Sequence, residues 1–191
     1  LSEIVKSFLK TKYSKPGNVY LGIPHRLDRP TSGVVIFAKT SKCLSRLNKL
    51  FKDGKVQKYY WAITKNKPEK PEDTLIHWLR KNEKTNKSTH FKKETTKAKK
   101  AVLHYKVLKK LERYFVIEIE LETGRHHQIR CQLKAIGCPI KGDLKYGYDR
   151  SNEDGGIDLH AKKIIFEHPV NGKKIIIDAP VRDTKIWNAA K

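Results

Sequence analysis

The chain has 191 residues, which is about the length of one domain with a hydrophobic core of its own. Lys and Arg number 42 against 20 Asp and Glu, so the formal net charge at pH 7 is +22. This excess predicts a polyanionic partner, with nucleic acid ahead of an anionic membrane surface, and a general lysine bias is the alternative. No run approaches the ~18–20 apolar residues of a membrane span. The three cysteines are too few for a disulfide framework and predict a reducing compartment, the cytoplasm.

Apolar spacing predicts one domain over residues 1–191, with no internal repeat and with helices and strands alternating in its first third. A helix over Ser2–Lys12, with Ser2 as a candidate N-cap, precedes a loop rich in Gly and Pro at residues 17–30. The apolar run Val34–Ala38 predicts a buried strand. A helix over Ser41–Asp53 and a strand over Val56–Thr64 follow. The sequence has no recognisable signal peptide. Since the chain begins at Leu1 and contains no Met, we expect its native start to lie upstream.

The remaining two thirds predict mostly antiparallel strands. The lysine-rich stretch Lys65–Lys100 indicates either a solvated excursion, such as a mobile hairpin, or a loop without a function. Alternating apolar residues then predict a strand pair, a helix and a final hairpin around an Asn-Gly turn. These elements are Ala101–Leu111, Tyr114–Glu122, the helix His126–Ile136, Ile164–Phe166 and Lys174–Asp178.

Two polar clusters stand out. Residues 25–33, HRLDRPTSG, place Asp28 between two arginines in a loop, where it is either a functional carboxylate or the acid of a salt-bridged turn. Residues 124–130, GRHHQIR, begin a predicted helix whose free amides could meet a phosphate. Arg130 lies at the edge of the apolar stripe of that helix. It therefore needs a carboxylate, for which Asp28 is a candidate, or it extends to solvent.

Tyr60 lies on the strand face opposite Tyr59, Trp61 and Ile63, and it shares that face with Lys58 and the small Ala62. A flat ring could stack on its phenol there, or Tyr60 could be an ordinary cross-strand packing residue. His126, His127, Cys131 and Cys138 match no common Cys/His spacing of a metal site. No phosphate-binding glycine motif is present either.

Together these segments resemble the RluA family of pseudouridine synthases. The family's motifs H-R-L-D with T-S-G, K-x-Y-x-A, G-R-x-H-Q-[IL]-R, G-x-P-I-x-G-D-x-x-Y-G, and L-H-A with F-x-H-P occur in order across nearly the whole chain. They match at residues 25–33, 58–62, 124–130, 137–147 and 159–169. The sequence departs from the family at Gln132 and Cys138, where the family usually has His, so no essential chemical role is expected there.

The resemblance implies an α+β fold in which a mixed, mostly antiparallel central sheet with flanking helices surrounds a central cleft. It implies an RNA uridine isomerase that acts without cofactor or metal on flipped uridines of rRNA or tRNA. Asp28 would be the catalytic carboxylate, Arg130 its basic partner, and Tyr60 a stacking platform that can also assist proton removal. The implied substrate-binding residues are Arg26, which would fill the gap left by the flipped base, Ile129 near the base, Arg125, His127 and Gln128.

The remaining expectations concern partners. RNA is the expected partner, with no membrane and no protein partner implied, and a monomer is the default. Lys42, Lys65 and the lysines of residues 81–100 are expected on or near the RNA face. Two other function classes stay open at this point: an RNA-binding protein of this fold without turnover, and a metal-dependent nuclease.

Overall fold

The computed structural model describes all 191 residues, and these pack into two compact units built from separated stretches of sequence. The first unit consists of Leu1–Leu27, Val35–Val56 and Phe166–Ile175. The second consists of Asp28–Val34, Gln57–Ile165 and Ile176–Lys191. No helix of either unit is long and apolar enough to cross a lipid bilayer.

The first unit contains two helices, α1 (Ser2–Lys12) and α2 (Ser41–Lys52). Both predicted helices are confirmed, but Ser2 as the N-cap is wrong, because Leu1 occupies that position and no side chain caps the helix. In α2 the hydroxyl of Thr40 accepts the Cys43 N–H at 3.1 Å, which satisfies one of the free amides of the first turn.

The predicted strand Val34–Ala38 is wrong. The only strand in this part of the chain is β1 (Ser32–Gly33), which lies before the apolar run. Ala38 forms an isolated bridge with Gly22, and Val34 donates its N–H to Ala161. The run is apolar because it is partly buried, but a strand also needs a continuous backbone partner, and these residues have none.

One sheet contains all eight strands, and its main path runs in the order β1-β7-β2-β6-β5-β3-β4, with β8 paired to β7. The pairs along this path are all antiparallel except β1 with β7. The strands after β1 are β2 (Gln57–Thr64), β3 (Glu72–Asn82), β4 (Lys87–Phe91), β5 (Lys99–Lys110), β6 (Phe115–Leu121), β7 (Leu159–Glu167) and β8 (Lys174–Asp178). The predicted β5–β6 hairpin and the predicted pairing of the last two strands are confirmed.

The lysine-rich stretch is not a solvated excursion. Residues 72–91 do form a hairpin, but β3 also pairs with β5 along eight residues, so the hairpin extends the central sheet. Leu75 and Leu79 are the buried apolar residues of β3. Because the rest of the strand is polar or only partly buried, its alternation is too weak to be recognised in the sequence.

The two faces of β2 belong to two hydrophobic clusters, as its alternation predicts. Ala62 packs with Ile129 of helix α3 (Gln128–Ala135), and Tyr60 packs against that cluster. On the opposite face, Ile63 packs with Trp187 of helix α4 (Lys185–Ala190). Helix α3 begins two residues later than predicted, since the residue before Gln128 has a left-handed backbone conformation.

Candidate active site

Asp28 lies in a turn that leads directly into β1. Its carbonyl oxygen accepts the Thr31 N–H at 2.9 Å, and β1 then pairs in parallel with His160 and Ala161 of β7. Gly33 has φ +117°, and a Cβ atom at that position would lie 2.3 Å from the carbonyl oxygen of Ala161. A glycine is therefore needed for the close approach of β1 to β7 at Ala161. This approach fixes the position at which the Asp28 turn joins the sheet.

The side chain of Asp28 meets that of Arg130, which is 102 residues away in the sequence. The guanidinium Nη1 of Arg130 lies 3.3 Å from Oδ2 of Asp28. The carboxylate of Asp28 keeps 28% of its side-chain surface exposed, whereas Arg130 is 6% exposed. A reactant can therefore reach the carboxylate, whereas the arginine is largely shielded from solvent.

A second carboxylate, that of Asp143, holds Arg130 in place. Nε and Nη2 of Arg130 donate to the two oxygens of Asp143 at 2.7 and 2.8 Å, and Asp143 is 1% exposed. Burial disfavours the charged guanidinium, but the hydrogen bonds and charge of Asp143, followed by those of Asp28, raise the pKa of Arg130 above its usual value. The site therefore contains a permanent, oriented positive charge.

His127 approaches the same carboxylate oxygen of Asp28. Its Nε2 is 3.7 Å from Oδ2 of Asp28, and its Nδ1 is 3.0 Å from the hydroxyl of Tyr146. That hydroxyl accepts the Ser88 N–H at 2.8 Å, and we infer that it donates its own proton to Nδ1 of His127, which lies within hydrogen-bond distance. Nδ1 is then unprotonated, and the neutral ring carries its proton on Nε2, the nitrogen nearer Asp28.

His127 is held in this state by its surroundings. Burial lowers its pKa to about 4, and Asp28 opposes that shift only in part. The ring is 8% exposed and stacks on His126 at 3.8 Å between centroids. At neutral pH Arg130 is therefore the cation beside Asp28, and His127 is a neutral N–H donor.

Tyr60 completes the group of side chains around Asp28. The pairing of β2 with β7 shifts register between Tyr59 and Tyr60, where β7 carries one extra residue, Lys162, so β2 itself keeps its alternation and Tyr60 its face. Burial, followed by the negative charge of Asp28, raises the pKa of Tyr60 to about 12. The phenol is therefore protonated at neutral pH. The structure thus brings together the three side chains predicted to be catalytic, Asp28, Tyr60 and Arg130.

Residues 2–135 match the RNA pseudouridylate synthase family. The chain belongs to this family. The tRNA pseudouridine synthase C of Vibrio parahaemolyticus is 32% identical over 178 residues, which cover 84% of this chain and 72% of that protein. The ribosomal large subunit pseudouridine synthase C of Rickettsia conorii is 38% identical over 152 residues, which cover 78% and 50% of the two chains. These relatives confirm the resemblance to RluA enzymes.

The chain spans about half the length of several curated relatives, including 49% of the uncharacterized RNA pseudouridine synthase YlyB of Bacillus subtilis, to which it is 34% identical over 152 residues. Human RNA Pseudouridylate Synthase Domain Containing 4 has the same fold, with a TM-score of 0.78 at 22% identity over 99% of this chain and 81% of that one. The predicted α+β fold with a mixed, mostly antiparallel sheet is thereby confirmed.

The residues predicted to bind substrate differ in their surroundings. Ile129 is buried in the cluster against which Tyr60 packs. Gln128 is buried; its Oε1 accepts from Thr123 and the Arg125 N–H, and its Nε2 donates to Val102. These contacts give Gln128 a structural explanation, and its predicted contact with substrate stays a prediction.

The two arginines predicted to bind substrate are exposed. Arg125 uses its Nε to donate to the Lys100 carbonyl at 2.8 Å, and Arg26 belongs to the first compact unit. Their roles toward substrate stay predictions. Within the same motif, His25 accepts the Ile36 N–H at 2.9 Å and stacks on Phe51, which gives this histidine a structural explanation in the first unit.

Sequence reasoning missed Asp143 and Tyr146 as members of the site. Both lie in the family motif at residues 137–147, but no role followed from their positions in the sequence. Asp143 begins the 3-10 turn Leu144–Tyr146 and is 13 residues from Arg130 in the sequence. The signal that could have found it was the buried arginine itself, which needs a carboxylate. No group of three or more His, Cys, Asp or Glu side chains is arranged to hold a metal ion.

Proposed function

We propose that this chain is an RNA uridine isomerase that converts specific uridines of structured rRNA or tRNA to pseudouridine, with Asp28 as the catalytic carboxylate. The observation that supports this most is the contact of Asp28 with Arg130 beside Tyr60, in a protein of this family. The relatives are named for tRNA and for the ribosomal large subunit, and these are the two RNA classes we propose for this chain.

The reaction breaks the bond between C1′ and N1 of uridine, rotates the base and forms a bond between C1′ and C5. N1 gains a proton and C5 loses its hydrogen to solvent, so nothing is oxidised or hydrolysed. Asp28 supplies the carboxylate, whether it attacks the sugar, adds to the base or removes a ribose proton. Arg130 supplies the opposing charge, and its pair with Asp143 fixes that charge in position before substrate arrives.

Tyr60 provides a flat surface for the base. Since its phenol is protonated, the ring rather than an anionic oxygen is the feature that we assign to it. A uridine in folded RNA is stacked, so flipping it out costs a few kcal/mol. Attraction between the phosphates and a chain of net charge +22 offsets that cost.

We further propose that residues 1–191 act as one catalytic domain and as a cytoplasmic monomer that needs neither cofactor nor protein partner. All three cysteines are free thiols. Arg26, Ile129, Arg125, His127 and Gln128 are the proposed substrate contacts. The RNA face would also include Lys42 and Lys65, both exposed, and the lysines of residues 81–100.

The test is tritium release from unmodified rRNA and tRNA transcripts that carry [5-³H]uridine. The purified protein is expected to release tritium and to leave pseudouridine at defined positions, whereas Asp28→Asn releases none and still binds RNA. Tight binding without any release by the parent would instead support an RNA-binding protein without turnover. Strand cleavage that needs a divalent cation would support a nuclease.

A further inference from the structure

Lys58 differs from the other partly buried lysines of this protein. Its side chain is half-buried, and its ammonium makes no hydrogen bond and no ion pair. By contrast, Lys141, 22% exposed, pairs with Asp158 at 2.9 Å, and Lys162, 16% exposed, pairs with Asp178. Lys163 lies over the ring of Tyr59. The structure thus gives these lysines a partner and gives Lys58 none.

The position of Lys58 relates it to the site. It stands two residues before Tyr60 on β2, so both side chains project from the same face of the sheet. A Cβ atom at Gly124 would lie 3.9 Å from Nζ of Lys58 and would meet nothing else within 4 Å. The ammonium therefore lies at the start of the segment that carries His127 and Arg130, with open space beside it.

A half-buried cation without a counter-ion is unfavourable, because the ammonium loses water and gains no anion. Burial is the cause that lowers the pKa of Lys58, and no nearby carboxylate opposes it. The chain itself therefore supplies no anion to the Lys58 ammonium, and an anion that pairs with it has to come from a bound molecule. In a site that receives RNA, the anion that accompanies every base is the phosphodiester of its own nucleotide.

We propose that Lys58 binds a phosphodiester group that flanks the uridine held against Tyr60. This inference rests on the proposed function, since it assumes that the base at Tyr60 belongs to RNA. The ammonium donates up to three hydrogen bonds, and phosphate oxygens are strong acceptors. Two residues of a strand span about 7 Å, so Lys58 and Tyr60 can contact two parts of a single nucleotide.

The test compares uridine with uridine 5′-monophosphate and uridine 3′-monophosphate, by calorimetry with the full chain at fixed ionic strength. The parent is expected to bind one of the two nucleotides at least about tenfold more tightly than uridine, because a hydrogen bond from an ammonium to a phosphate is charge-assisted and stronger than one between neutral groups. Lys58→Met keeps the apolar part of the side chain and removes the charge. It is expected to bind the nucleotides and uridine equally.

Lys163→Met is the matched control. It removes the same charge from the neighbouring strand, where Lys163 faces Tyr59 on the opposite side of the sheet. We expect this variant to keep the parent's preference for the nucleotide. Inorganic phosphate that binds as tightly as the preferred nucleotide would overturn the assignment, because the site would then take free phosphate. Equal affinity of the parent for nucleotides and uridine, including no binding of either, also overturns it.

Two further measurements separate this role from a structural one. Lys58→Met is expected to unfold at the same or a higher urea concentration than the parent, because it removes a desolvated charge. In the tritium assay it is expected to raise KM at least about tenfold and to leave kcat within about threefold. A lower urea midpoint together with an unchanged KM shows that Lys58 is structural. Absence of release by the parent contradicts the proposed function, while the nucleotide comparison still tests Lys58.

Discussion

Arg130 and Asp143 form a buried bidentate pair. The remaining guanidinium nitrogen of the arginine, Nη1, donates a hydrogen bond to Asp28. The two hydrogen bonds to Asp143 measure 2.7 and 2.8 Å, whereas the contact with Asp28 measures 3.3 Å. One guanidinium thus joins a fully buried acid to a partly exposed one. We infer that Asp143 fixes the position of Arg130. Arg130 in turn orients Asp28, whose carboxylate stays accessible to a reactant.

Because the two contacts of Arg130 differ in length and burial, substitution of the two acids is expected to lower the free energy of unfolding by different amounts. Asp143→Asn is expected to lower the free energy of unfolding by about 3 kcal/mol, because it leaves a buried arginine with an impaired partner. Asp28→Asn is expected to change it by less than about 1 kcal/mol, since that pair is partly exposed. Urea unfolding of both variants checks this. A larger loss for Asp28→Asn than for Asp143→Asn would contradict the unequal geometry.

Tyr60 is expected to act through its ring. Tyr60→Phe should keep tritium release within about threefold of the parent, because a phenol with a pKa of about 12 does not supply a base at neutral pH. Tritium release by Tyr60→Leu should fall about 5- to 150-fold, since stacking on a base contributes ~1–3 kcal/mol. Tyr59→Leu, on the opposite face of β2, is the control and should stay active. Loss of activity in Tyr60→Phe would show that the hydroxyl takes part.

His127 makes stability depend on pH. Its pKa falls from 6.5 to about 4 in the folded protein, so between these values the unfolded chain binds more protons. The stability that comes from its neutral ring is therefore present above about pH 6.5 and is lost as the pH falls toward 4. The free energy of unfolding, measured in urea between pH 7.5 and 4.5, should fall less steeply in His127→Gln than in the parent. Equal slopes would rule out this contribution.

Gly33 should not tolerate a side chain. Gly33→Ala combines an unfavourable φ of +117° with a Cβ atom 2.3 Å from the Ala161 carbonyl, and it is expected to cost at least about 2 kcal/mol of unfolding free energy. Gly137→Ala is the control, because its φ is +74° and nothing lies within 4 Å of an added Cβ. It should cost about 1 kcal/mol. Equal losses in thermal unfolding would show that the contact between β1 and β7 adjusts freely.

The elements that local patterns predicted were those with clear periodicity and clear ends. Helix α2 has a threonine cap and a following glycine, and the β5–β6 hairpin has strong alternation. The strand β3 was missed because it exposes most of its polar side chains in the sheet. Val34–Ala38 was wrongly assigned because an apolar run reports burial, whereas a strand is defined by a backbone partner elsewhere in the chain.

The sequence by itself determined the family, through ordered motifs, and the residue types of the site, including Asp28, Tyr60 and Arg130. It also determined the two faces of β2, because alternation is a local property of the strand. Only the tertiary structure decided that Asp143 is the main partner of Arg130, that Tyr146 directs the proton of His127 toward Asp28, and that Lys58 lacks a counter-ion. Those features arise from desolvation and hydrogen bonds between side chains distant in sequence, which exist only when the chain is folded.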